Sequence, residues 1–249
     1  MEKVDIIMAV YNCEKYIKEA IISVKKQSYT NWNLIIIDDK STDKTLDIIK
    51  DTIMEVKQKV KIIKLKEHKG VANARNIGIE ESKSQYIAFL DADDIWDKEK
   101  LKKQIQFMKI NSYNFTYTRF CYKKGEREKI VGIFPKSLNY KQALKNTFIL
   151  TSTVIINTKE INKKLIKMPD VKSEDTATWW QILKDNNIAY GINEELAKYR
   201  IHNKSLSFNK FKSLKRTWQL YRKQEKINII KSTYYFINYI FRATIKRII

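Results

Sequence analysis

The sequence is poor in the residues on which several functional classes depend. Its 249 residues include two cysteines, two histidines, two prolines and five glycines. Two cysteines, Cys13 and Cys121, cannot build a disulfide framework or a four-cysteine zinc site, and two histidines exclude a histidine-rich metal centre. The scarcity of proline and glycine excludes collagen-like and low-complexity chains and argues against a loop-rich all-β protein.

Long hydrophobic runs are also missing. The chain has no stretch of about 20 uncharged apolar residues, so we expect no membrane-spanning helix. Its first residues lead directly into a short apolar run at 6–10 and lack the longer apolar segment and the cleavage site of a secretory signal. We therefore expect a cytoplasmic protein whose cysteines are reduced.

The chain is poor in acidic residues relative to basic ones. It has 28 Asp and Glu against 49 Lys and Arg, which gives a net charge of +21. Such a charge suits an anionic partner, namely nucleic acid, a phosphorylated ligand or an acidic membrane surface. Biased codon usage that favours Lys, Ile, Asn and Tyr would also produce it. Residues 210–249 carry eleven Lys and Arg but one acidic residue, Glu225, so nearly half of the net charge lies in the last sixth of the chain.

The first hundred residues alternate short apolar runs with stretches in which apolar residues recur at helical spacing. This alternation predicts an α/β fold with a Rossmann-like, mostly parallel central sheet and helices on both faces. The predicted strands are 4–10, 34–38, 60–65 and 86–90.

After residue 112 the pattern is mixed. We expect strands at 115–120, 130–134, 153–156, 188–192 and 196–201, and helices at 140–146, 159–166 and 176–186. No linker rich in proline or glycine divides the chain. We therefore predict one catalytic-type domain at 1–209, with halves at about 1–112 and 113–209, followed by a helical tail at 210–249.

Acidic residues follow two of the predicted strands. Asp38 and Asp39 end the second, and Asp91, Asp93 and Asp94 follow the fourth. The carboxyl ends of parallel strands are where ligands bind in open sheets. Carboxylates this close repel each other unless a cation or hydrogen-bond donors compensate their charge. Mg²⁺ or Mn²⁺ with a bound diphosphate would be such a cation. The simpler alternative is that these residues cap helices and make turns.

Glycine-rich phosphate-binding loops are absent. The chain has no GxxxxGK[ST] motif, and Gly70 and Gly78 are wrongly spaced for GxGxxG. A metal bridged by aspartates would have to hold the phosphates instead.

Six motifs in sequence order resemble the family 2 glycosyltransferases of the GT-A fold, of the bacterial cell-surface polysaccharide type. The resemblance covers about residues 1–207. The motifs are AVYN (9–12), IDDKSTD (37–43), GVANARNIG (70–78), FLDADD (89–94), SED (173–175) and YRIHNKSLS (199–207).

The resemblance implies that residues 1–112 hold a nucleotide-sugar. Tyr11 would stack on the base, expected to be uracil, and Asp39 would accept a hydrogen bond from its imide. Ala9 would line the same pocket, although the family often has proline there. Arg75 would lie near the base or the phosphates, or alternatively form an ordinary ion pair on a helix.

The resemblance also implies a divalent metal, Mn²⁺ or Mg²⁺, that neutralises the departing diphosphate. Asp93 would be its direct ligand. Asp91 would belong to the metal site, in contact with a metal-bound water, or would contact the ribose. Asp94 would support the site or contact the sugar.

The segment at 199–207 would fold over the diphosphate. Arg200, His202 and Ser205 would contact phosphate or metal, with His202 as a metal ligand. A single histidine is otherwise more often a structural residue.

Transfer with inversion requires a base that takes a proton from the acceptor hydroxyl. Asp175 is our candidate and Glu174 the alternative. Both begin a predicted helix, where plain N-terminal helix charge would also place them. Trp179 and Trp180 lie one turn further and could pack against an acceptor sugar, although at least one should belong to the core.

The tail has apolar residues at helical spacing on one face, at 227, 230, 234, 237, 241, 245 and 248, with lysines and arginines on the other. A basic amphipathic helix suits an acidic bilayer surface, and packing on the catalytic domain is the alternative.

We therefore expect an inverting, metal-dependent glycosyltransferase that moves a sugar from a UDP-sugar to a saccharide acceptor linked to lipid. We expect it to lie peripherally on the inner face of the cytoplasmic membrane and to bind no nucleic acid. One alternative is a nucleotidyltransferase on a similar sheet, but that class normally has a phosphate-binding loop near the first strand. The other is a basic nucleic-acid-binding protein, which would leave the aspartate clusters unexplained.

Overall fold

The computed structural model describes residues 2–54, 56, 58–132, 134–146, 148–202 and 210–248. Within these residues, ten strands form one sheet. The strands are Val4–Val10 (β1), Trp32–Asp38 (β2), Lys59–Lys64 (β3), Tyr86–Phe89 (β4), Ile95–Trp96 (β5), Phe115–Lys124 (β6), Arg127–Ile130 (β7), Ser137–Leu138 (β8), Ile155–Asn157 (β9) and Ala189–Arg200 (β10).

The helices of the described residues connect and cover these strands. They are Ile17–Lys25 (α1), Thr45–Ile53 (α2), Val71–Glu81 (α3), Lys100–Asn111 (α4), Tyr140–Ala143 (α5), Lys163–Ile166 (α6), Glu174–Lys184 (α7), Lys210–Gln219 (α8) and Ile229–Ile248 (α9). A 3₁₀ turn at Thr151–Thr153 and a π-helical segment at Leu220–Gln224 complete them.

The strand order along the sheet is β3-β2-β1-β4-β9-β6-β10-β5, with β7 beside β6 and β8 beside β10. β1 pairs in parallel with both β2 and β4, and β2 with β3. Right-handed crossovers then put α1 and α2 on one face of the sheet and α3 on the other. The predicted α/β fold with a mostly parallel sheet is confirmed, and β1 has the predicted bounds.

The core lies on both faces of β1, β2 and β4, whose apolar side chains are almost all buried. α3 packs very closely on this sheet at Gly78. A Cβ at Gly78 would lie 2.5 Å from Ile7 Cγ2 and 2.8 Å from Ile37 Cδ1, so the glycine permits the contact.

The second half departs from the prediction in detail. The two strands expected at 188–192 and 196–201 are one strand, β10, with register shifts against β6 between Ile192 and Ala197. Bulges of this kind absorb extra residues without ending the strand. The strand expected at 130–134 is instead the exposed β7, and Ile133 lies outside the described residues.

The tail is helical, as predicted, and consists of two helices, of which α9 contains most of the predicted amphipathic face. The π-helical segment follows α8, and Lys226, with a φ of +52°, separates it from α9. Tyr221 is buried, and its ring stacks on Trp180 of α7 at 5.3 Å. The start of the tail therefore packs on α7, in line with the alternative we left open. In the described part of the chain, no helix is both apolar enough and long enough to span a bilayer.

Candidate active site

The candidate site lies where the strand order of the sheet reverses. β1 has β2 on one side and β4 on the other, so successive crossovers leave in opposite directions and a crevice opens beyond the strand ends. The segments that follow β1, β2 and β4 carry Tyr11, Asp39 and the group Asp91, Asp93 and Asp94. The structure brings these segments to one edge of the sheet.

The carboxylates of the first acidic pair, Asp38 and Asp39, are stabilised mainly by hydrogen bonds from backbone N–H groups. Asp38 is 2% exposed and accepts a hydrogen bond from the N–H of Ser41 at 3.2 Å. Asp39, equally buried, accepts from the N–H of Lys69 at 2.8 Å and from that of Gly70 at 2.7 Å. Gly70 has a φ of +86°, which favours glycine. Asp39 thus fixes the loop before α3.

An aromatic pair covers Asp39. The rings of Tyr11 and His68 stack with their centroids 4.0 Å apart, and His68 Nδ1 lies 2.8 Å from Asp39 Oδ2. Sequence reasoning gave His68 no role, because Asp39 is 29 residues away and the local pattern does not indicate the contact. Ala9, predicted for the same pocket, lies in β1 opposite Ile37 and is partly buried.

A buried arginine joins the second acidic group to the second half of the chain. Arg75 Nη2 lies 2.5 Å from Asp91 Oδ1, and Nη1 lies 2.6 Å from Glu174 Oε1. Burial alone would lower the pKa of Arg75, but the two carboxylates raise it, so the guanidinium keeps its charge. Arg75 is therefore a bridge between the loop after β4 and the start of α7.

Asp93 faces His202 across the crevice. Asp93 Oδ2 lies 2.8 Å from His202 Nε2, and the imidazole stacks on Tyr16 with ring centroids 4.9 Å apart. Burial and the nearby charge of Asp91 raise the pKa of Asp93, while the bond to His202 opposes this shift. A carboxylate held in this way would gain from a further cation.

Asp94 supports the loop and has no surface left for a ligand. It is 0% exposed, accepts the hydroxyl hydrogen of Ser152 at 2.5 Å, and accepts the backbone N–H of Arg200 at 3.0 Å. Burial and repulsion from Asp93 raise its pKa well above the ordinary value. Of the two roles predicted for Asp94, these contacts favour the supporting one over a direct sugar contact.

Arg200 is also engaged within the protein. Its Nε donates to the carbonyl oxygen of Asp93 at 2.9 Å, and its Nη2 pairs with Glu19 at 2.9 Å. The guanidinium carbon lies 5.0 Å from the centre of the Tyr16 ring. These contacts fasten the end of β10 to α1 and to the acidic loop. Ser205, predicted for the same segment, lies outside the described residues.

The two candidate bases at the start of α7 have different surroundings. Glu174 is 7% exposed and is paired with Arg75, and burial together with repulsion from Asp175 raises its pKa. Asp175 is half-buried, and its Oδ2 accepts from the hydroxyl of Thr151 at 3.1 Å. Its Oδ1 accepts from the backbone N–H of Thr176 at 2.6 Å.

Both predicted acceptor-binding tryptophans are buried in the core, each 2% exposed. Trp179 packs against Phe89 and Phe115, with ring centroids 5.8 and 5.6 Å away, and Trp180 stacks on Tyr221. Neither ring presents a face to solvent, so these contacts favour the alternative, in which the tryptophans belong to the core.

Of the three residues predicted to bind a metal ion, Asp91, Asp93 and His202, only two lie in contact with each other. Among the described residues, no group of three or more His, Cys, Asp or Glu is arranged as a metal site. Asp93 and His202 are in contact, whereas Asp91 is turned toward Arg75. A carboxylate oxygen and an imidazole nitrogen are donors that suit Mn²⁺, so two of the three predicted ligands have compatible chemistry.

Known proteins resemble the chain over most of its length. A putative teichuronic acid biosynthesis glycosyltransferase, TuaG, from Bacillus subtilis is 39% identical over 98% of this chain and 97% of its own length. WfgD from Escherichia coli, a UDP-Glc:α-D-GlcNAc-diphosphoundecaprenol β-1,3-glucosyltransferase, is 39% identical over 95% of this chain and 92% of its own.

The fold has counterparts among solved structures. The mannosyltransferase PcManGT from Pyrobaculum calidifontis, solved with GDP-Man and Mn²⁺, superposes with a TM-score of 0.72 at 14% identity, over 97% of this chain and 73% of its own. Residues 5–166 match the family described as Glycosyl transferase family 2. This match includes the acidic loops and most of the sheet but not β10, and the chain belongs to glycosyl transferase family 2.

Proposed function

We propose that the protein is an inverting glycosyltransferase that moves a sugar from a UDP-sugar to a hydroxyl of a lipid-linked saccharide during the synthesis of a cell-surface polysaccharide. The family and the two curated relatives support this, since one is named for UDP-glucose and a diphosphoundecaprenol acceptor and the other for teichuronic acid synthesis. The catalytic domain is residues 1–209, with the donor held by about 1–112 and the acceptor by about 113–209.

The observation that carries the proposal is the bridge made by Arg75. It contacts Asp91 of the proposed donor site and Glu174 of the helix that presents the proposed base. A transfer reaction requires donor and acceptor to meet with the base beside the attacking oxygen. One buried guanidinium that holds both carboxylates gives these two parts a fixed distance.

Within this pair of acids, Asp175 is the proposed base and Glu174 is a positioning residue. The charge of Glu174 is already compensated by Arg75, and its side chain is only 10% exposed. Asp175 is more open, and the hydroxyl of Thr151 orients one of its oxygens. Asp175 would take the proton of the acceptor hydroxyl as its oxygen attacks the anomeric carbon and the nucleotide leaves.

We assign the donor contacts to Tyr11 and Asp39 for the base and to Asp91 and Arg200 for the ribose and diphosphate side. Tyr11 is 45% exposed at the end of β1 and offers a flat ring. Asp93 and His202 would hold a divalent metal, Mn²⁺ or Mg²⁺, and Mn²⁺ in the PcManGT structure supports this. Such a metal supplies positive charge to the leaving diphosphate.

Conversion of Asp175 to Asn tests the proposal. The full chain is incubated with UDP-glucose and other UDP-sugars, Mn²⁺ or Mg²⁺, and a lipid-linked GlcNAc diphosphate, and the product is analysed by mass spectrometry and by its anomeric configuration. We expect transfer with inversion, and we expect Asp175→Asn to lower kcat about 10²–10⁴-fold while UDP still binds. Asp170→Asn, five residues away and exposed, is the matched control. An active Asp175→Asn enzyme would contradict the assignment.

We also propose that α9 lies on an acidic membrane surface and holds the enzyme on the inner face of the cytoplasmic membrane. One face of α9 carries exposed apolar residues on successive turns, and we call it the outer face. Ser232 and Tyr239, on the opposite face, are buried. Exposed Lys231 and Arg242 flank the outer face, which suits anionic lipid headgroups. The outer-face residues are Ile230, Tyr234, Ile237 and Phe241.

Point variants test this better than removal of the tail, because Tyr221 packs on Trp180 and truncation would expose the core. We expect Ile230→Asn with Ile237→Asn to abolish sedimentation with vesicles rich in anionic lipid. Ile110→Asn, at an isoleucine 72% exposed on α4, should leave sedimentation unchanged. Equal binding by all three proteins would show that α9 is not the anchor.

A further inference from the structure

His68 makes two contacts that together describe a flat ring with an N–H group. Its ring stacks on Tyr11 with centroids 4.0 Å apart and an interplanar angle of 22°. Its Nδ1 lies 2.8 Å from Asp39 Oδ2 and 3.2 Å from the backbone carbonyl oxygen of Asp39, so this nitrogen faces two oxygens of the same residue. The side chain of His68 is 49% exposed, whereas that of Asp39 beneath it is 3% exposed. The imidazole is therefore the cover that separates Asp39 from solvent.

The other sides of the Asp39 carboxylate are closed. Its Oδ1 accepts from the N–H of Lys69 and its Oδ2 from the N–H of Gly70. Both donors belong to the backbone of the loop before α3 and cannot leave without moving that loop. The imidazole of His68 is a side-chain donor and can leave by rotation alone.

These are the two contacts that the proposed function requires of the nucleobase. A uracil ring would stack on Tyr11, and its N3–H would donate to Asp39. The imidazole and the base cannot occupy one face of Tyr11 and one lone pair of Asp39 Oδ2 together, since stacked rings already lie in van der Waals contact at about 4 Å.

We infer that His68 belongs to the nucleobase site, where its imidazole makes the contacts of the base and is displaced when the donor binds. The inference rests on the proposed function. It assigns to the site a ligand with a flat ring and a ring N–H, as in uracil, because such a ring restores both contacts that Tyr11 and Asp39 lose when His68 leaves. A base without a ring N–H would leave the buried Asp39 carboxylate without that donor, which is costly.

The histidine content of the chain makes a direct test practical. His68 and His202 are its only histidines, so a ¹H–¹³C spectrum of the full chain labelled at histidine contains two sets of ring signals, assigned with His68→Gln. The probe is UDP, and its binding is measured separately by calorimetry. We expect the His68 ring protons to move downfield on saturation, because they leave the shielding face of Tyr11.

Two substitutions at the same position separate the two contacts. His68→Ala removes both, and His68→Phe keeps an aromatic ring on Tyr11 without a donor to Asp39. We expect His68→Ala to bind UDP about three- to tenfold more tightly than the natural chain, since no ring must be displaced, and His68→Phe to fall between them.

The outcomes distinguish this inference from the proposed function. UDP binding with unchanged His68 signals, or weaker UDP binding by His68→Ala, would overturn the inference and leave the glycosyltransferase proposal standing. Absence of UDP binding by the natural chain would overturn both.

Discussion

Two acidic groups follow buried parallel strands in this protein, and the fold neutralises them by different means. Asp38 and Asp39 accept hydrogen bonds mainly from backbone N–H groups of nearby loops. Asp91 and Asp93 are instead held by the charged or ionisable side chains of Arg75 and His202, from distant parts of the chain. Backbone amides cannot be withdrawn, whereas side chains can exchange a partner. Asp38 is therefore part of a fixed frame, whereas Asp91, Asp93 and the face of Asp39 beneath His68 have side-chain partners that a ligand can replace.

The largest expected effect comes from breaking the second group at Arg75. We expect Arg75→Met to lower the free energy of unfolding by about 3–5 kcal/mol, because it leaves two carboxylates without their buried partner. Urea unfolding measures this. Adding Glu174→Gln should recover part of the loss, since one of the unpaired charges is then removed.

An exposed ion pair supplies the control for Arg75. Lys61 pairs with Glu81, and both side chains are more than a third exposed. We expect Lys61→Met to change the unfolding free energy by no more than about 0.5 kcal/mol. Similar losses for the two variants would mean that burial of Arg75 adds nothing to the strength of its pairs.

A smaller effect, on chemistry rather than folding, should follow at Asp93. We expect Asp93→Asn to lower kcat/KM for transfer about 10²–10³-fold, because the carboxylate that would hold the metal, and with it the positive charge beside the diphosphate, is lost. The corresponding change in the first group, Asp38→Asn, should lower Tm and leave turnover of the folded enzyme unchanged. If Asp38→Asn reduced transfer as much as Asp93→Asn, the distinction between a frame and a site would be wrong.

The smallest effect is expected at Asn12, which ties the loop after β1 to the loop after β2. Its Oδ1 accepts from the N–H of Thr42 at 2.8 Å, and its φ is +46°. We expect Asn12→Gly to cost about 0.5–1.5 kcal/mol for the lost hydrogen bond. Asn12→Ala should cost about 1–2 kcal/mol more, because alanine disfavours positive φ. Equal Tm values for the two variants would show that the backbone here is not strained.

Much of the parallel half could be predicted from the sequence, because β1, β2 and β4 are buried on both faces and therefore read as nearly continuous apolar runs. β1 was predicted with the bounds it has. α3 was not assigned as a helix, and the reason is physical. Its sequence, VANARNIGIEE, places small residues against the sheet and buries Arg75, so it has no apolar stripe of the usual kind.

The contacts of the candidate site could not be predicted from the sequence. The resemblance singled out Asp91, Asp93, Arg75 and His202, but no local pattern indicates that Arg75 pairs with Glu174, 99 residues away. Trp179 and Trp180 were predicted to pack against an acceptor sugar, with at least one of them in the core, because adjacent aromatics at a helix start can serve either purpose. Their burial depends on Phe89 and on Tyr221 of the tail, contacts that only the assembled fold defines.

The bridge made by Arg75 also limits how such enzymes can be recombined. A hybrid that joins the first half of this chain to the second half of another member would bring together an arginine at 75 and whatever residue stands at 174. Where that residue is not acidic, the graft would bury a guanidinium with one carboxylate instead of two. Exchange of acceptor halves should therefore succeed most readily between chains that share this charge pairing, and the pair can serve as a selection rule for choosing parents.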